Sequence, residues 1–433
     1  MIARAGLSGN QRRQSPDNVV TAFDERARFI TDFALRLHLA GVSAARLEGA
    51  VKTTATRMGV DCAIWSSPTG ILLSLGDLND PGSIQQTKVL RLDPAQPNLS
   101  DLSTLDYVAE QVIEGKLDVV EASTRFRELD RASDARDRYW IVFAFGLASA
   151  AVAGLLRTSW IDVLVAGALG ALVGALDVAS RTRPDLAAAS EAIAAILVTV
   201  LTATFAHFVF PLSIQTVVIA ALIVLMPGLT LTTAVTELAT GQLVTGTARF
   251  AGAMVTLFKL TFGSVAGAQI VNVLGWTPQV AQSVSLPAAV EVIATVAAAF
   301  SFAILFRAAR RDIPLVMASA ILGYVLTRVA SGWFAPAEVQ GVTFAGAVFV
   351  SSLTMAAIAN VYGRVIGRPG TLVRLPSIML LVPGSVGFRG IASLVERDYA
   401  LGMETAVAVL SALVALMAGL LFGSVLVAPR RYL

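Results

Sequence analysis

"VLMPGLTLTTAVTEL" (Val224–Leu238) and "LLVPGSVGFRGIASL" (Leu380–Leu394) are apolar runs, each cut by Pro-Gly and continued by small or polar residues. Proline inside a helix removes a donor and collides with the carbonyl four residues back. In hydrocarbon the freed backbone groups are costly unless protein or water satisfies them. Proline is well suited, however, to the first position of a new helix. Pro227-Gly228 and Pro383-Gly384 are therefore predicted to begin half-helices. Their free N–H groups and positive dipole ends would face the bilayer midplane and attract a carboxylate. Thr230, Thr232 and Thr233 after the first break, and Ser385 after the second, add hydroxyls. A proline kink is the simpler account of either stretch alone. The recurrence is what points to a binding site.

The surrounding chain reads as membrane. Of its 433 residues 55% are hydrophobic, and the mean hydropathy is +0.71; soluble domains run at about 45–50%. Residues 1–138 hold 36 charged side chains and residues 139–433 only 27. Beyond residue 138 apolar runs of about 20 residues recur. Ten spans are predicted, at 140–156, 161–177, 186–209, 214–236, 247–274, 286–306, 313–330, 339–360, 371–393 and 403–427. With residues 1–138 inside, most loop arginines fall on the cytoplasmic side, as the positive-inside rule requires. Both termini are then cytoplasmic, and the chain belongs in the cell (inner or plasma) membrane. The net charge of +3 is no nucleic-acid footprint.

Residues 1–20 read as a disordered tail and 21–138 as a cytoplasmic α+β domain. Helices are predicted at Phe23–Ala40, Ala44–Met58, Ser103–Glu114 and Val119–Ala132. "CAIWSS" and "GILLSL" form a hairpin across Pro68-Thr69-Gly70, and "KVLRL" supplies a third strand. One cysteine, Cys62, excludes an internal disulfide. Two histidines, His38 and His207, cannot build a multi-histidine metal site, so no metal and no cofactor is expected. No P-loop and no G-x-S-x-G, H-E-x-x-H or C-x-x-C motif is present, which argues against an enzyme.

The membrane part repeats itself. "RTSWIDVLVAGALG" (Arg157–Gly170) matches "RRDIPLVMASAILG" (Arg310–Gly323); Met226-Pro227-Gly228 matches Val382-Pro383-Gly384; "LTFGSV" (Leu260–Val265) matches "LLFGSV" (Leu420–Val425). The halves are 139–275 and 286–433. Five spans per half is odd, so the second half enters the membrane in the opposite sense. The expected fold is a polytopic α-helical membrane protein, ten helices in a 5+5 inverted repeat, as in alternating-access transporters.

Ionisable groups within the spans are candidates for proton coupling or charge pairing, because burying a charge in a bilayer is expensive. Lys259 lies mid-span, Glu237 follows the first break and Arg389 the second, and Glu291 sits near a span end. Snorkelling or capping is the competing account of Glu291, and an interfacial position that of Glu237 and Arg389.

These residues resemble the ThrE-type threonine/serine exporters. The resemblance rests on "LHLAGVSAARLEGAVKTTATRMGVDCAIWSSPTGILLSL", with Gly41, Arg46 and Glu48, and on "NLSDLSTLDYVAEQVIEGKLDVVEASTRFREL". It continues in "MPGLTLTTAVTELATGQLVTGTARF" and "NVYGRVIGRPGTLVRLPSIMLLVPGSVGFRG". Where the family carries Asn-Ala-Ile-x-Asp-Leu, this chain has Thr233-Ala234-Val235-Thr236-Glu237-Leu238. The resemblance implies export of threonine and serine by antiport driven by the proton motive force. Related two-chain members are associated with succinate, so a dicarboxylate exporter is the alternative. A membrane-anchored sensor is a third reading, and the internal symmetry argues against it. Expected partners are a small carboxylate, protons and lipid, with a homo-oligomer possible in principle and no nucleic acid.

Overall fold

The structure, a computed structural model, describes residues 22–78, 80, 85–129, 135–281, 286–334, 340–381, 384–395 and 398–429. The predicted tail, Pro383 and residues 130–132 of the fourth predicted helix lie outside them.

The N-terminal part is α+β. Helices α1 (Ala22–Leu39) and α2 (Ala44–Arg57) precede strands β1 (Val60–Ser67), β2 (Gly70–Asp77) and β3 (Gln86–Arg91), and α3 (Leu99–Ile113) and α4 (Val119–Arg127) follow. The sheet is an antiparallel meander in the order β1-β2-β3, with Ser67 opposite Gly70 and Gly70 opposite Arg91. Alternation along β2 turns Ile71, Leu73 and Leu75 into the core, where Phe29, Ile30, Phe33 and Leu37 of α1 meet them. Phe29, Phe33 and Phe126 stack with ring centroids 5.2 to 6.2 Å apart. Each buried phenylalanine contributes about 1.5–3 kcal/mol. Helix α3 starts at Leu99, four residues before the apolar pattern predicts. The reason is its cap: the Asn98 side chain accepts from the Asp101 N–H at 3.2 Å.

Among the described residues twelve helices make up the rest. The first six are α5 (Ala135–Leu155), α6 (Trp160–Ser180), α7 (Pro184–Phe208), α8 (Ile214–Leu222), α9 (Gly228–Ala239) and α10 (Leu243–Val273). The second six are α11 (Ala288–Leu305), α12 (Ile313–Phe334), α13 (Gln340–Ile366), α14 (Thr371–Met379), α15 (Gly384–Val395) and α16 (Tyr399–Leu426). Among the described residues nine helices are long and apolar enough to cross a membrane, with Thr371–Val395 taken as one. The number is ten when α8, extended by a 3-10 turn to Leu225, and α9 count as one span bent by 56°. This is a polytopic helical membrane protein.

The two sets of six match element by element. Each runs long, long, long, short, short, long, and the short helices have 9 and 12 residues in both. Helices α9 and α15 start 156 residues apart (228 and 384), as do α10 and α16 (243 and 399). The "LTFGSV" and "LLFGSV" match, offset by 160, is therefore one helical turn out of register. Gly263 and Gly267 of α10 correspond to Gly419 and Gly423 of α16. A methyl group on any of the four would run into the facing helix, α7 for the first pair and α13 for the second. Such G-x-x-x-G faces let helix backbones approach closely.

Equivalent turns lie at opposite ends of α11. Arg157, in the α5–α6 turn, donates through Nε and Nη2 to the Leu286 carbonyl just ahead of α11, at 3.1 and 3.0 Å. By position after the preceding helix its counterpart is Arg307, two residues past the end of α11 as Arg157 is two past the end of α5, and not the Arg310 that the sequence match aligns with it. These two are the non-glycine residues with positive φ among the described ones, at 54° and 50°, a conformation side chains rarely adopt. A buried aspartate grips the loop before each short-helix pair. Asp162 opens α6 in a capping box with Ser159 and accepts the Ser213 N–H at 2.9 Å. Asp312, just ahead of α12, takes a two-pronged contact from Arg368 at 2.7 and 2.8 Å.

Candidate functional site

Helix α9 is amphipathic by hydroxyls. Leu229, Thr232, Thr233, Thr236, Glu237 and Thr240 recur at helical spacing and face one cavity. Thr232, Thr236 and Thr240 each donate a hydroxyl proton to the carbonyl four residues earlier, at 3.1, 2.8 and 3.0 Å. With their protons so occupied, these oxygens offer lone pairs to the cavity, an acceptor stripe suited to a ligand's N–H or O–H donors. Helix α14 presents Thr371, Arg374, Leu375 and Ile378 with the same periodicity, and α16 closes one side with Leu420, Leu421 and Ser424.

The remaining wall comes from the N-terminal part: the α1–α2 turn at Gly41–Ser43, Arg46 of α2, and Pro97–Leu99 with Leu102. Gly41 has φ of +73°, and a Cβ there would lie 2.6 Å from Gln96 and Pro97 backbone atoms. Only glycine fits this turn. The cavity measures about 270 Å³, the small end of the range for small-molecule sites.

Three charged side chains face this space. Glu237 is 2% exposed. Its Oε1 accepts the Ala44 N–H at 3.1 Å, and its Oε2 lies 3.0 Å from Arg249 Nε in an ion pair that lacks hydrogen-bond alignment. Arg46 donates to Thr371 Oγ1 at 2.6 Å. Arg374 stands on the next turn of α14. Neither Arg46 nor Arg374 forms an ion pair with an acid among the described residues. Burial pushes the Arg46 guanidinium well below its ordinary value, and the Arg374 charge pushes it further. The arginines thus form an uncompensated cationic corner opposite a held carboxylate.

The N-terminal part is fastened to both sets of helices. On the first, Gln242 Nε2 donates to Glu48 at 2.9 Å, Thr245 Oγ1 donates to the Ser66 carbonyl at 2.9 Å, and Ala44 meets Glu237. On the second, Arg368 reaches Ser103 at 3.0 Å, the Leu99 and Ser100 N–H groups donate to Phe306 and Arg307 carbonyls at 2.9 and 3.2 Å, and Arg46 meets Thr371.

The breaks do meet. A Cβ on Gly384 would lie 3.4 Å from Gly228 Cα, so the N-termini of α9 and α15 abut. Pro227 is the cap residue of α9. Thr232, Thr233 and Glu237 line the cavity, whereas Thr230 is exposed on the other face of α9 and Ser385 is half-buried outside the lining. Lys259 donates to the Ala188 carbonyl at 2.8 Å and lies 3.5 Å from Glu191, against α7 and away from the cavity. Glu291 accepts from Tyr324 Oη at 2.7 Å and pairs with Arg328 at 3.0 Å. Arg389 is exposed on α15. Sequence reasoning did not select Arg46, Arg374, Thr371, Thr236 or Thr240 for the site. A signal existed for Arg374: an arginine two residues before Pro376, inside a predicted span.

Nine or ten helices long and apolar enough to cross a membrane among the described residues, with a small cavity between α9, α14, α16 and the N-terminal part that threonines and three charged side chains help to line, fit a multi-pass membrane transporter. The chain belongs to the threonine/serine exporter family: a ThrE family model matches residues 28–271, and a second, described as threonine/serine exporter, ThrE, matches residues 291–426. Among curated proteins it is similar to pheromone-regulated membrane protein 10 of Debaryomyces hansenii, at 27% identity over 83% of this chain and 36% of that one. The proteins of that name from Pichia sorbitophila and Yarrowia lipolytica are 25% and 24% identical, each over 84% of this chain and over 36% and 30% of their own lengths. The chain thus spans about a third of the length of the curated relatives it matches. No solved structure matches it.

Proposed function

We propose that this protein is a secondary exporter of threonine and serine, coupled to protons, and that the cavity between α9, α14, α16 and the N-terminal part is its substrate site. The observation that carries the reading is the pairing of a buried carboxylate and a hydroxyl stripe on α9 with the Arg374 guanidinium across the same small space. A hydroxy amino acid has the complementary groups: ammonium for Glu237, hydroxyl for the threonines, carboxylate for the arginine. Arg374, which has no acid partner among the described residues, then gains one, and Glu237 gains a second cation beside Arg249.

Glu237 also serves as the coupling site. Substrate ammonium and a proton compete for one carboxylate: substrate entering from the cytoplasm displaces the proton inward, and a proton from outside replaces the departing substrate. That exchange is antiport. The reorientation it needs is supplied by an inverted-topology repeat, which the opposite placement of the Arg157 and Arg307 turns supports. In this reading the N-terminal part is cytoplasmic and the helices after it lie in the plasma or inner membrane. Proteoliposomes should show L-threonine flux that rises with an imposed proton gradient; flux indifferent to the gradient removes the coupling.

A dicarboxylate exporter is the second reading, favoured by the presence of two cationic side chains, Arg46 and Arg374, in one cavity. Succinate that outcompetes threonine in the same vesicles decides for it.

A further inference from the structure

Arg46 and Arg374 come from different parts of the molecule and have no reason, within the protein, to share a space. Arg46 rides on α2 of the N-terminal part and Arg374 on α14. Both line the cavity, and neither is paired with an acid among the described residues. The partner that Arg46 does have, the Thr371 hydroxyl at 2.6 Å, is neutral. A guanidinium carries five donors in a fixed fork, so one such contact leaves most of them free. Two like charges lining one small cavity are unfavourable until an anion joins them, and a carboxylate, with two oxygens and about four acceptor sites, fits two guanidinium forks. Burial and the neighbouring Arg374 charge both hold Arg46 below its ordinary basicity.

We propose that Arg46 is a substrate-binding residue supplied by the N-terminal part, that it and Arg374 grip the substrate carboxylate together, and that the bound carboxylate latches the N-terminal part onto the helices. This rests on the reading of the cavity as the substrate site, and holds for an amino acid or a dicarboxylate alike. With the cavity empty, Arg46 and Arg374 repel across the joint. With a carboxylate between them the same pair draws the joint closed. The N-terminal part bonds to both sets of helices, through Ala44 to Glu237 and through Leu99 to Phe306. Its docking therefore reports on substrate and restrains the movement of one set against the other.

The test uses the full chain, purified and in proteoliposomes, with L-threonine and with threoninol, the amino alcohol that lacks the carboxylate. Hydrogen exchange of the segments holding the Ala44 and Leu99 amides reads docking. Threonine should slow exchange there, and threoninol should not. Arg46→Gln should raise the threonine KM by about tenfold, the loss expected for one charge-assisted contact, with kcat largely kept. It should also abolish threonine's protection of those amides. Arg46→Lys should restore part of both, and it keeps the test available should Arg46→Gln fail to fold. An Arg46→Gln protein with unchanged KM and unchanged protection overturns the proposal. If Arg374→Gln still raises KM in that case, the cavity stands and only the role of Arg46 falls. If Arg374→Gln and Glu237→Gln are also silent, the substrate-site reading falls with it.

Discussion

The short-helix pairs α8–α9 and α14–α15 have equal lengths and equivalent positions, yet they carry their polar chemistry on opposite sides of the break. In the first pair it follows the break, as Thr232, Thr233, Thr236, Glu237 and Thr240 of α9. In the second it precedes it, as Thr371 and Arg374 of α14. Non-equivalent members of the two pairs, α9 and α14, share the cavity, while the equivalent members α9 and α15 meet at their N-termini. The crossed arrangement lets each pair supply one charge sign: acid and acceptors from α9, cation from α14. The two pairs thus match in length and differ in chemistry.

The largest effect should come from the acid that breaks the symmetry. Glu237→Gln keeps the shape but removes the charge, and should lower gradient-driven threonine flux on the order of 100-fold, as expected for a residue that serves both binding and coupling. The same variant leaves the half-buried Arg249 without its counter-ion, so a lower midpoint of thermal unfolding should accompany it. Retention of gradient-driven flux would mean that the acid on α9 does not set this half apart. An intermediate effect is expected where the halves touch. Gly384→Ala adds a methyl at ordinary contact distance from Gly228 and should be tolerated. Gly384→Leu must push the N-termini apart and should cost about 1–3 kcal/mol of stability, read by thermal unfolding in detergent. The smallest effect tests the asymmetry from its silent side. Ser393 and Arg389 occupy on α15 the positions of Glu237 and Thr233 on α9, offset by 156, and neither lines the cavity. Ser393→Ala and Arg389→Gln should each change threonine KM by less than about twofold, the range of side chains that touch no ligand. A larger change at Arg389 would restore it to the charge-pairing role its position after the break suggests.

Much of this was legible in the chain. Apolar runs gave the spans to within a few residues, Pro227-Gly228 gave the bend between α8 and α9, and three local matches gave the correspondence between the two sets of helices. The matches misplaced α16 by one turn, because small residues at four-residue spacing align equally well in two registers. Charged residues were harder. Lys259 stands mid-span, where an ammonium is expensive, and that cost suggested function. The structure relieves it with the Ala188 carbonyl and Glu191, both on α7. Glu291 likewise finds Tyr324 and Arg328 on α12. A single sequence gives the cost of burying a charge but not the neighbour that offsets it.

The sequence by itself determined the membrane class, the order of elements and the places where helices stop, since these follow from local apolar runs and from proline and glycine chemistry. Tertiary structure alone decided which charges share a space. Arg46 and Arg374 are separated by most of the chain, and Glu237 by nearly two hundred residues from the Ala44 N–H it accepts. No periodicity encodes such meetings, because they arise only when the N-terminal part seats against helices from both halves, and there a site of mixed charge comes into being.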